Sequence, residues 1–165
     1  MNNDSINRSI SELQSLGFEG FKSVRDLASS HYDLPGGPGI YLVLYINGQR
    51  PQFAPKGAGC SFKGRNPNVG IPELESKWID DTIIIYVGQT RDSLAHRITK
   101  LIDFGNGRPV GHYGGRYIWQ IHNCYDLVVC WKSCRKEIDA RRIERELLHR
   151  FKRVHGRLPF ANLVE

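Results

Sequence analysis

The chain has 165 residues, of which 40% are hydrophobic and 24% charged, and 23 Lys and Arg against 17 Asp and Glu give a net charge of +6. This length fits one ordinary globular domain, and the composition excludes collagenous and disordered chains. No apolar run approaches the roughly 18 residues that would span a bilayer, and the polar start resembles no signal peptide. We therefore expect a cytoplasmic protein with no membrane partner and with reduced cysteines.

The hydrophobic pattern predicts strands and helices in a mixed order. The first expected elements are helices over 7–16 and 20–29 and a strand over 39–47, followed by a long excursion over 49–80 with a short amphipathic piece at 72–79. A strand over 82–88 and a helix over 93–103, capped by Asp92 or Ser93, come next. The rest of the chain is expected to form a Gly-rich loop over 105–116, an extended segment over 117–122, a strand over 125–132 and a helix over 136–154 that ends before Gly156. This order predicts an α/β (α+β) domain built on a small sheet flanked by helices.

The excess positive charge lies near the end of the chain. Between residues 132 and 157 there are ten Lys or Arg and four Asp or Glu. Such a concentration favours a polyanionic partner, in which phosphates would be neutralised by the basic side chains. A solvated helix with charges of both signs is the alternative.

Four side chains stand out in combination, although Tyr41 and Tyr86 taken singly fit ordinary core aromatics and Arg97 fits a snorkelling arginine. Glu144 falls inside the apolar stripe of the last helix, where a carboxylate is costly unless it is paired, protonated or bound to a cation, whereas Glu146 falls among basic residues. Arg97 borders the apolar stripe of the helix over 93–103, and Tyr41 and Tyr86 lie beside glycines in apolar strands. Together they offer a proton acceptor, a cation and a metal ligand, which phosphodiester hydrolysis requires.

These residues occur in an order that resembles the GIY-YIG nuclease family. The pattern consists of Gly39-Ile40-Tyr41, Tyr86-Val87-Gly88, Thr90, Leu94 and Arg97, Glu144 with Leu147-Leu148, and Asn162. The resemblance covers about residues 35–163. It implies a three-stranded, mostly antiparallel sheet flanked by helices, and DNA cleavage with one divalent metal ion. Residues 1–34 would then form an N-terminal helical flank and 35–165 the nuclease domain.

The resemblance also implies a role for each matching residue. Glu144 would bind Mg²⁺ or Mn²⁺, and Arg97 would stabilise the phosphate in the transition state. Tyr41 and Tyr86 would orient or deprotonate water, with Tyr41 favoured as the base. Asn162 would complete the site by a hydrogen bond near the phosphate or the base.

Two further features extend this interpretation. Residues 48–81 form an insertion between the two tyrosine strands, like the insertions of restriction enzymes in the family. His112 is the candidate accessory base or phosphate ligand, since some restriction-type members use a His beside the tyrosines, and His96 competes for this role. The candidate DNA-binding residues lie in the insertion, beside His112 and on the basic face of the last helix: Lys56, Lys63 and Arg65, with Phe53 and Phe62, then Arg116, and then Arg141 and Arg145.

The sequence thus favours a metal-dependent endonuclease that hydrolyses phosphodiester bonds in double-stranded DNA, with restriction, repair and mobile-element roles open. Because one site cuts one strand, double-strand cleavage favours a homodimer or two binding events. Two alternatives from other classes remain. One is a non-catalytic nucleic-acid-binding module, and the other is an effector in which the Gly-rich insertion binds a protein.

Overall fold

The computed structural model describes residues 1–29, 34–61 and 63–164, without the side chains of residues 137 and 138. The helices are α1 (Asn3–Ser15), α2 (Val24–Ser29), α3 (Ile71–Lys77), α4 (Leu94–Gly105) and α5 (Glu137–His155). The strands are β1 (Glu19–Ser23), β2 (Gly39–Leu44), β3 (Ile84–Thr90) and β4 (Val128–Ser133), and short 3₁₀ helices occupy Tyr113–Gln120 and Cys124–Asp126. Within the described ranges, no helix combines the length and apolarity needed to cross a bilayer.

The strands form one antiparallel sheet in the order β1-β4-β2-β3, so the α+β class is confirmed. The expectation of three strands is wrong, because β1 adds a fourth at the edge. Every residue of β2 is buried, since this strand has neighbours on both sides and helices above and below. The strand that starts with Gly39-Ile40-Tyr41 is therefore one of the two inner strands, and β4 is the other.

The strand β1 lies where the sequence predicts the start of a helix over 20–29. Gly20 has φ +92° and Phe21 has φ +48°, and the register with β4 shifts between Glu19 and Lys22. Both residues are in the left-handed region, which a continuous right-handed helix cannot contain. A Cβ at Gly20 would collide with the ring of Trp131, so this position is fixed by a close approach of β4. The helix predicted over 20–29 is therefore confirmed only for 24–29, which is α2.

The segment over 117–122, predicted to be extended, lies largely in the 3₁₀ helix Tyr113–Gln120. Residues 117 to 121 are all buried, so no alternation of exposed and buried positions distinguishes a strand from a helix there. The segment forms one β-bridge with the insertion, between Phe53 and Ile121, and the N–H group of Ala58 also donates a backbone hydrogen bond to the segment. The prediction of an extended segment is wrong, because these residues are buried by tertiary packing, which the local sequence pattern does not show.

The sheet carries a hydrophobic core on each face. On one face, Ile40, Leu42 and Leu44 pack with residues of α1 and with Leu148 of α5. On the other face, Tyr41 and Val43 pack with α2, α4, the 3₁₀ helix and aromatic residues of the insertion and the C-terminal segment. The first 29 residues thus contribute α1, β1 and α2 to the same two cores. All four cysteines are free thiols.

The helix ends that frame the site follow the predicted signals. Ser93 caps α4, and its Oγ accepts a hydrogen bond from the backbone N–H of His96 at 3.2 Å. The helix α5 ends at Gly156, which has φ +74°, the conformation that glycine adopts without strain. Both boundaries lie within two residues of the expected positions.

Candidate functional site

The two tyrosines lie side by side on neighbouring strands. Tyr41 of β2 pairs with Gly88 of β3, and Tyr86 lies two residues before Gly88. The ring centroids of Tyr41 and Tyr86 are 5.9 Å apart. A Cβ on Gly88 would overlap the ring and hydroxyl of Tyr41, so the glycine leaves the space in which that ring lies. The two tripeptides therefore pack against each other on paired strands. Each supplies a tyrosine, and the second also supplies Gly88, which contacts the Tyr41 ring.

We expect Gly88→Ala to lower the free energy of unfolding by about 1–3 kcal/mol, because the added methyl group forces the buried Tyr41 ring to move. Chemical denaturation followed by circular dichroism measures the change. Gly36→Ala is the matched control, since no atom lies within 4 Å of a Cβ built there. Equal stability of the two variants would contradict the close contact of Tyr41 with Gly88.

His112 is buried next to both tyrosines. It is 1% exposed, and its Nε2 is 2.8 Å from the Tyr41 hydroxyl. Its ring centroid is 6.3 Å from that of Tyr41 and 6.0 Å from that of Tyr86. Burial, assisted by the charge of Arg97, lowers the pKa of His112 to about 3, so the imidazole is neutral near pH 7. Because its exposed surface is so small and Nε2 is engaged, this position favours a role through Tyr41 over direct contact with a phosphate.

Arg97 extends from α4 toward both phenols. Its buried Nε has no hydrogen-bond partner among the described residues. Burial raises the pKa of Tyr41 well above the usual phenol range and also raises that of Tyr86, while Arg97 lowers both. The guanidinium is thus a fixed cation next to two neutral hydroxyl groups, and part of its hydrogen-bonding capacity is free.

Glu144 of α5 is half-buried, as its place in the apolar stripe predicts. Within the described part of the chain it has neither an ion pair nor a hydrogen bond through its carboxylate, whereas Glu146 pairs with Arg142 at 3.4 Å on the surface. Burial raises the pKa of Glu144, and the nearby charges of Arg97 and Arg141 lower it by less. Glu144 also acts electrostatically on Tyr86. Among the described residues, Glu144 therefore lies near positive charge without being paired with it.

The described residues contain no group of three or more His, Cys, Asp or Glu side chains that could hold a metal ion. Glu144 alone offers a carboxylate near Arg97 and Tyr86. Such a single ligand is compatible with Mg²⁺, which keeps several waters and is held by one or two carboxylates together with substrate phosphates. It is not compatible with a tightly held structural ion, which needs four protein ligands.

Asn162 lies beside this cluster and is fully occupied by the backbone of β3. Its Oδ1 accepts from the Val87 N–H at 2.9 Å, and its Nδ2 donates to the Val87 carbonyl at 2.8 Å. The neighbouring Ala161 N–H donates to the Ile85 carbonyl at 2.9 Å. The C-terminal segment thus pairs with the free edge of β3 on either side of Tyr86, and Asn162 is placed to hold that strand.

We expect Asn162→Ala to lower the free energy of unfolding by about 1–3 kcal/mol, because it leaves both polar groups of Val87 without their partners. Asn7→Ala, on the exposed side of α1, is the control and should change stability by less than about 0.5 kcal/mol. Thermal and denaturant unfolding of the purified variants provide the comparison. An unfolding curve for Asn162→Ala that matches the control would rule out this strand-holding role.

Two of the candidate DNA-binding residues are brought together, and the others are not. The guanidinium of Arg116 lies 4.4 Å from the Tyr113 ring centroid and 4.8 Å from that of Tyr117. The guanidinium of Arg65, from the insertion, lies 6.0 Å from the same Tyr113 centroid. The remaining basic candidates are exposed, on the insertion and on α5: Lys56, Lys63, Arg141 and Arg145. Phe53 is buried against Phe160, and Phe62 lies outside the described residues.

Gln120 is a structural residue that the sequence analysis does not single out. It is 1% exposed and holds the insertion through three hydrogen bonds. Its Nε2 donates to the carbonyls of Ala54 and Val69 at 3.0 and 2.9 Å, and its Oε1 accepts from the Val69 N–H at 2.9 Å. A polar side chain inside the apolar run 117–121 is the signal that could have revealed it, since buried amides require partners.

The structure therefore gathers Tyr41, Tyr86, Arg97, His112 and Glu144 from two strands, two helices and a loop. Comparison of the chain with protein-family models, curated proteins and solved structures found no match. The assignment of a function consequently depends on the residues of this cluster and their geometry.

Proposed function

We propose that the chain is a metal-dependent DNA endonuclease of the GIY-YIG type. One observation carries the proposal: Tyr41 and Tyr86 lie on adjacent strands, 5.9 Å apart, with Arg97 and the unpaired carboxylate of Glu144 acting on the same phenol. These residues come from distant parts of the sequence, on two strands and two helices. A half-buried carboxylate without a partner is costly, so its presence favours a ligand that supplies positive charge.

Arg97 is proposed to bind the phosphate that is cleaved. A guanidinium with a free Nε donor matches the geometry of phosphate oxygens and stabilises the extra negative charge that develops as water attacks. Because this side chain is already fixed by its contacts with the phenols, little side-chain entropy remains to be lost when a phosphate binds.

Tyr41 and Tyr86 are proposed to orient the attacking water. Burial raises the pKa of both phenols, so both are neutral and act through their hydroxyl oxygens as hydrogen-bond partners. If His112 carries its proton on Nδ1, then Nε2 accepts the Tyr41 proton at 2.8 Å, and the fully buried Tyr41 acts on the water through the neighbouring hydroxyl of Tyr86. His112 is then a positioning residue, since an imidazole with a pKa of about 3 is a weak base.

Glu144 would hold a single Mg²⁺ or Mn²⁺ ion. When bound, such an ion supplies positive charge at the phosphate and lowers the pKa of water, which compensates for the weak basicity of neutral phenols. In the reaction, the water oxygen attacks phosphorus and the bond from phosphorus to the leaving oxygen breaks. The attacking water releases one proton to solvent, and the leaving oxygen takes up one proton from solvent.

Two basic surfaces are proposed to contact the DNA backbone. The first combines Arg65 of the insertion with Arg116, and the second is the face of α5 that carries Arg141 and Arg145. Because one cluster of this kind cleaves one strand, cutting of a duplex requires two chains or two successive events. We propose a homodimer on the DNA as the simpler arrangement.

Labelled oligonucleotides test the proposed activity and its substrate. Purified protein is incubated with duplex DNA, single-stranded DNA and duplex RNA, in Mg²⁺, Mn²⁺ or EDTA. We expect metal-dependent cleavage that is fastest on duplex DNA. Binding of DNA without cleavage in any metal would replace the nuclease by a nucleic-acid-binding module, and neither binding nor cleavage would favour a protein partner.

A further inference from the structure

A pocket of about 300 Å³ opens where β3 ends and α4 begins. Gln89, Thr90 and Arg91 form one side, and Ser93, His96, Arg97 and Lys100 form the other. Arg97 belongs both to this pocket and to the tyrosine cluster. A ligand in this pocket therefore lies close to Arg97, which is proposed to bind the scissile phosphate.

The positive charges of this pocket are not held in ion pairs within the described part of the chain. Arg91, Arg97 and Lys100 form no ion pair with any described carboxylate, whereas arginines elsewhere do, as in the pairs Arg25–Asp126 at 2.7 Å and Arg108–Asp103 at 3.0 Å. Of the residues that line the pocket, Asp92 alone is acidic, so positive charge remains in excess. Like charges that converge without a partner repel each other, and an anion would relieve that repulsion.

The backbone at the start of α4 does not contribute to such a site. The N–H groups of Leu94 and Ala95 donate to the carbonyls of Gly37 and Pro35, both at 2.9 Å, and that of His96 donates to the Ser93 cap. Anion binding must therefore come from the side chains. Lys100 lies three residues after Arg97, on the same side of α4, so both reach toward one region of the pocket.

We propose that this pocket binds a second phosphate of the nucleic-acid substrate, adjacent along the same strand to the phosphate at Arg97. This inference rests on the proposed function. Consecutive phosphates of one strand are neighbours along its backbone, and Arg91, Arg97 and Lys100 line one pocket, so a strand held at Arg97 brings an adjacent phosphate toward Arg91 and Lys100. The pocket would fix the register of the backbone and thereby place the scissile phosphate against the tyrosines.

Charge removal at the pocket provides the first test. Arg91→Ala and Lys100→Ala are compared with Arg8→Ala, which removes an exposed charge on α1, a helix on the opposite face of the sheet. For each pocket variant we expect about tenfold weaker binding of a 20-bp duplex and a salt dependence with a log–log slope smaller by about one. The cleavage rate at saturating DNA should fall as well, but by less than the affinity, because the scissile phosphate is held less firmly in register while Arg97 still binds it.

A neutral phosphate provides the second test. In two duplexes, an uncharged methylphosphonate replaces one phosphate. It replaces the phosphate on one side of the cleaved bond in the first duplex and the phosphate on the other side in the second. We expect one of the two to bind wild type about tenfold more weakly, and Lys100→Ala to bind that duplex and the unmodified one equally. Equal affinities of wild type for all duplexes, or additive losses in Lys100→Ala, would overturn the inference.

The outcomes separate the pocket from the proposed function. If wild type cleaves DNA and the pocket variants behave like Arg8→Ala, the pocket inference is wrong and the nuclease stands. If wild type binds without cleaving and the pocket variants reduce the salt slope, the nuclease is wrong and the phosphate site stands. Absence of DNA binding by wild type overturns both.

Discussion

Glu144→Gln is expected to abolish cleavage, with a loss of at least about 1000-fold, while the folded state becomes slightly more stable. The carboxylate is the proposed metal ligand, and an amide of the same size is a far weaker one. The same carboxylate is half-buried without a described partner, so the neutral amide removes a desolvation cost. The gain should be only a few tenths of a kcal/mol, because solvent reaches part of the group.

The stability effect of Glu144→Gln should depend on pH in a defined direction. Burial raises the pKa of Glu144 in the folded state above its unfolded value, so ionisation disfavours the fold. Below the unfolded pKa the carboxyl group is neutral in both states and the variant gains nothing. The gain appears as the pH rises and is complete above the raised folded pKa. Unfolding curves from pH 4 to pH 8 measure it.

Glu146→Gln is the control for this prediction. It lies two residues further along α5, is exposed and pairs with Arg142 on the surface. We expect it to cleave like wild type and to change stability by less than about 0.5 kcal/mol. If Glu144→Gln instead destabilises the protein and keeps its activity, Glu144 is a structural carboxylate with a stabilising partner.

Tyr41→Phe is expected to reduce the cleavage rate by about 100- to 10,000-fold without altering the sheet. The phenyl ring fills the same space above Gly88, so only the hydroxyl is lost. That loss also leaves the buried Nε2 of His112 without its partner, which should cost about 1–3 kcal/mol. Single-turnover kinetics and denaturation measure the two effects separately. Tyr45→Phe, in the loop after β2, is the control and should keep full activity.

A second substitution separates catalysis from stability at Tyr41. In Tyr41→Phe combined with His112→Leu, both members of the buried hydrogen bond are apolar, so stability should recover toward that of wild type. Activity should stay low, because the hydroxyl oxygen is still absent. Recovery of activity together with stability would mean that Tyr41 matters for the fold alone.

The fold could be predicted where local patterns carry the information. The strand that begins at Gly39 and the helix that begins after Ser93 follow from apolar runs and a cap, and both lie close to their expected positions. The strand β1 could not be predicted this way, because its identity depends on the Trp131 ring against Gly20 and on pairing with β4, more than 100 residues away. Local spacing cannot contain such a contact.

The residues of the candidate site likewise differ in whether local sequence patterns could identify them. Glu144 could be singled out because a helical wheel places a charge among apolar residues, and the structure leaves it half-buried. The contact of His112 with Tyr41 follows only from the family resemblance, since a Gly-rich loop carries no periodic signal and the burial of His112 arises from two strands and the loop together. The bonds of Asn162 to Val87 likewise join segments 75 residues apart.

Conversion of supercoiled plasmid tests the proposed nuclease most directly. Purified wild type and Glu144→Gln are incubated with the plasmid in Mg²⁺, Mn²⁺ or EDTA, and binding is followed in parallel by gel shift. We expect wild type to produce nicked and linear DNA only with metal, and Glu144→Gln to bind the plasmid without cutting it. Cleavage in EDTA, cleavage by Glu144→Gln at the wild-type rate, or binding without cleavage by wild type would contradict a metal-dependent nuclease centred on Glu144.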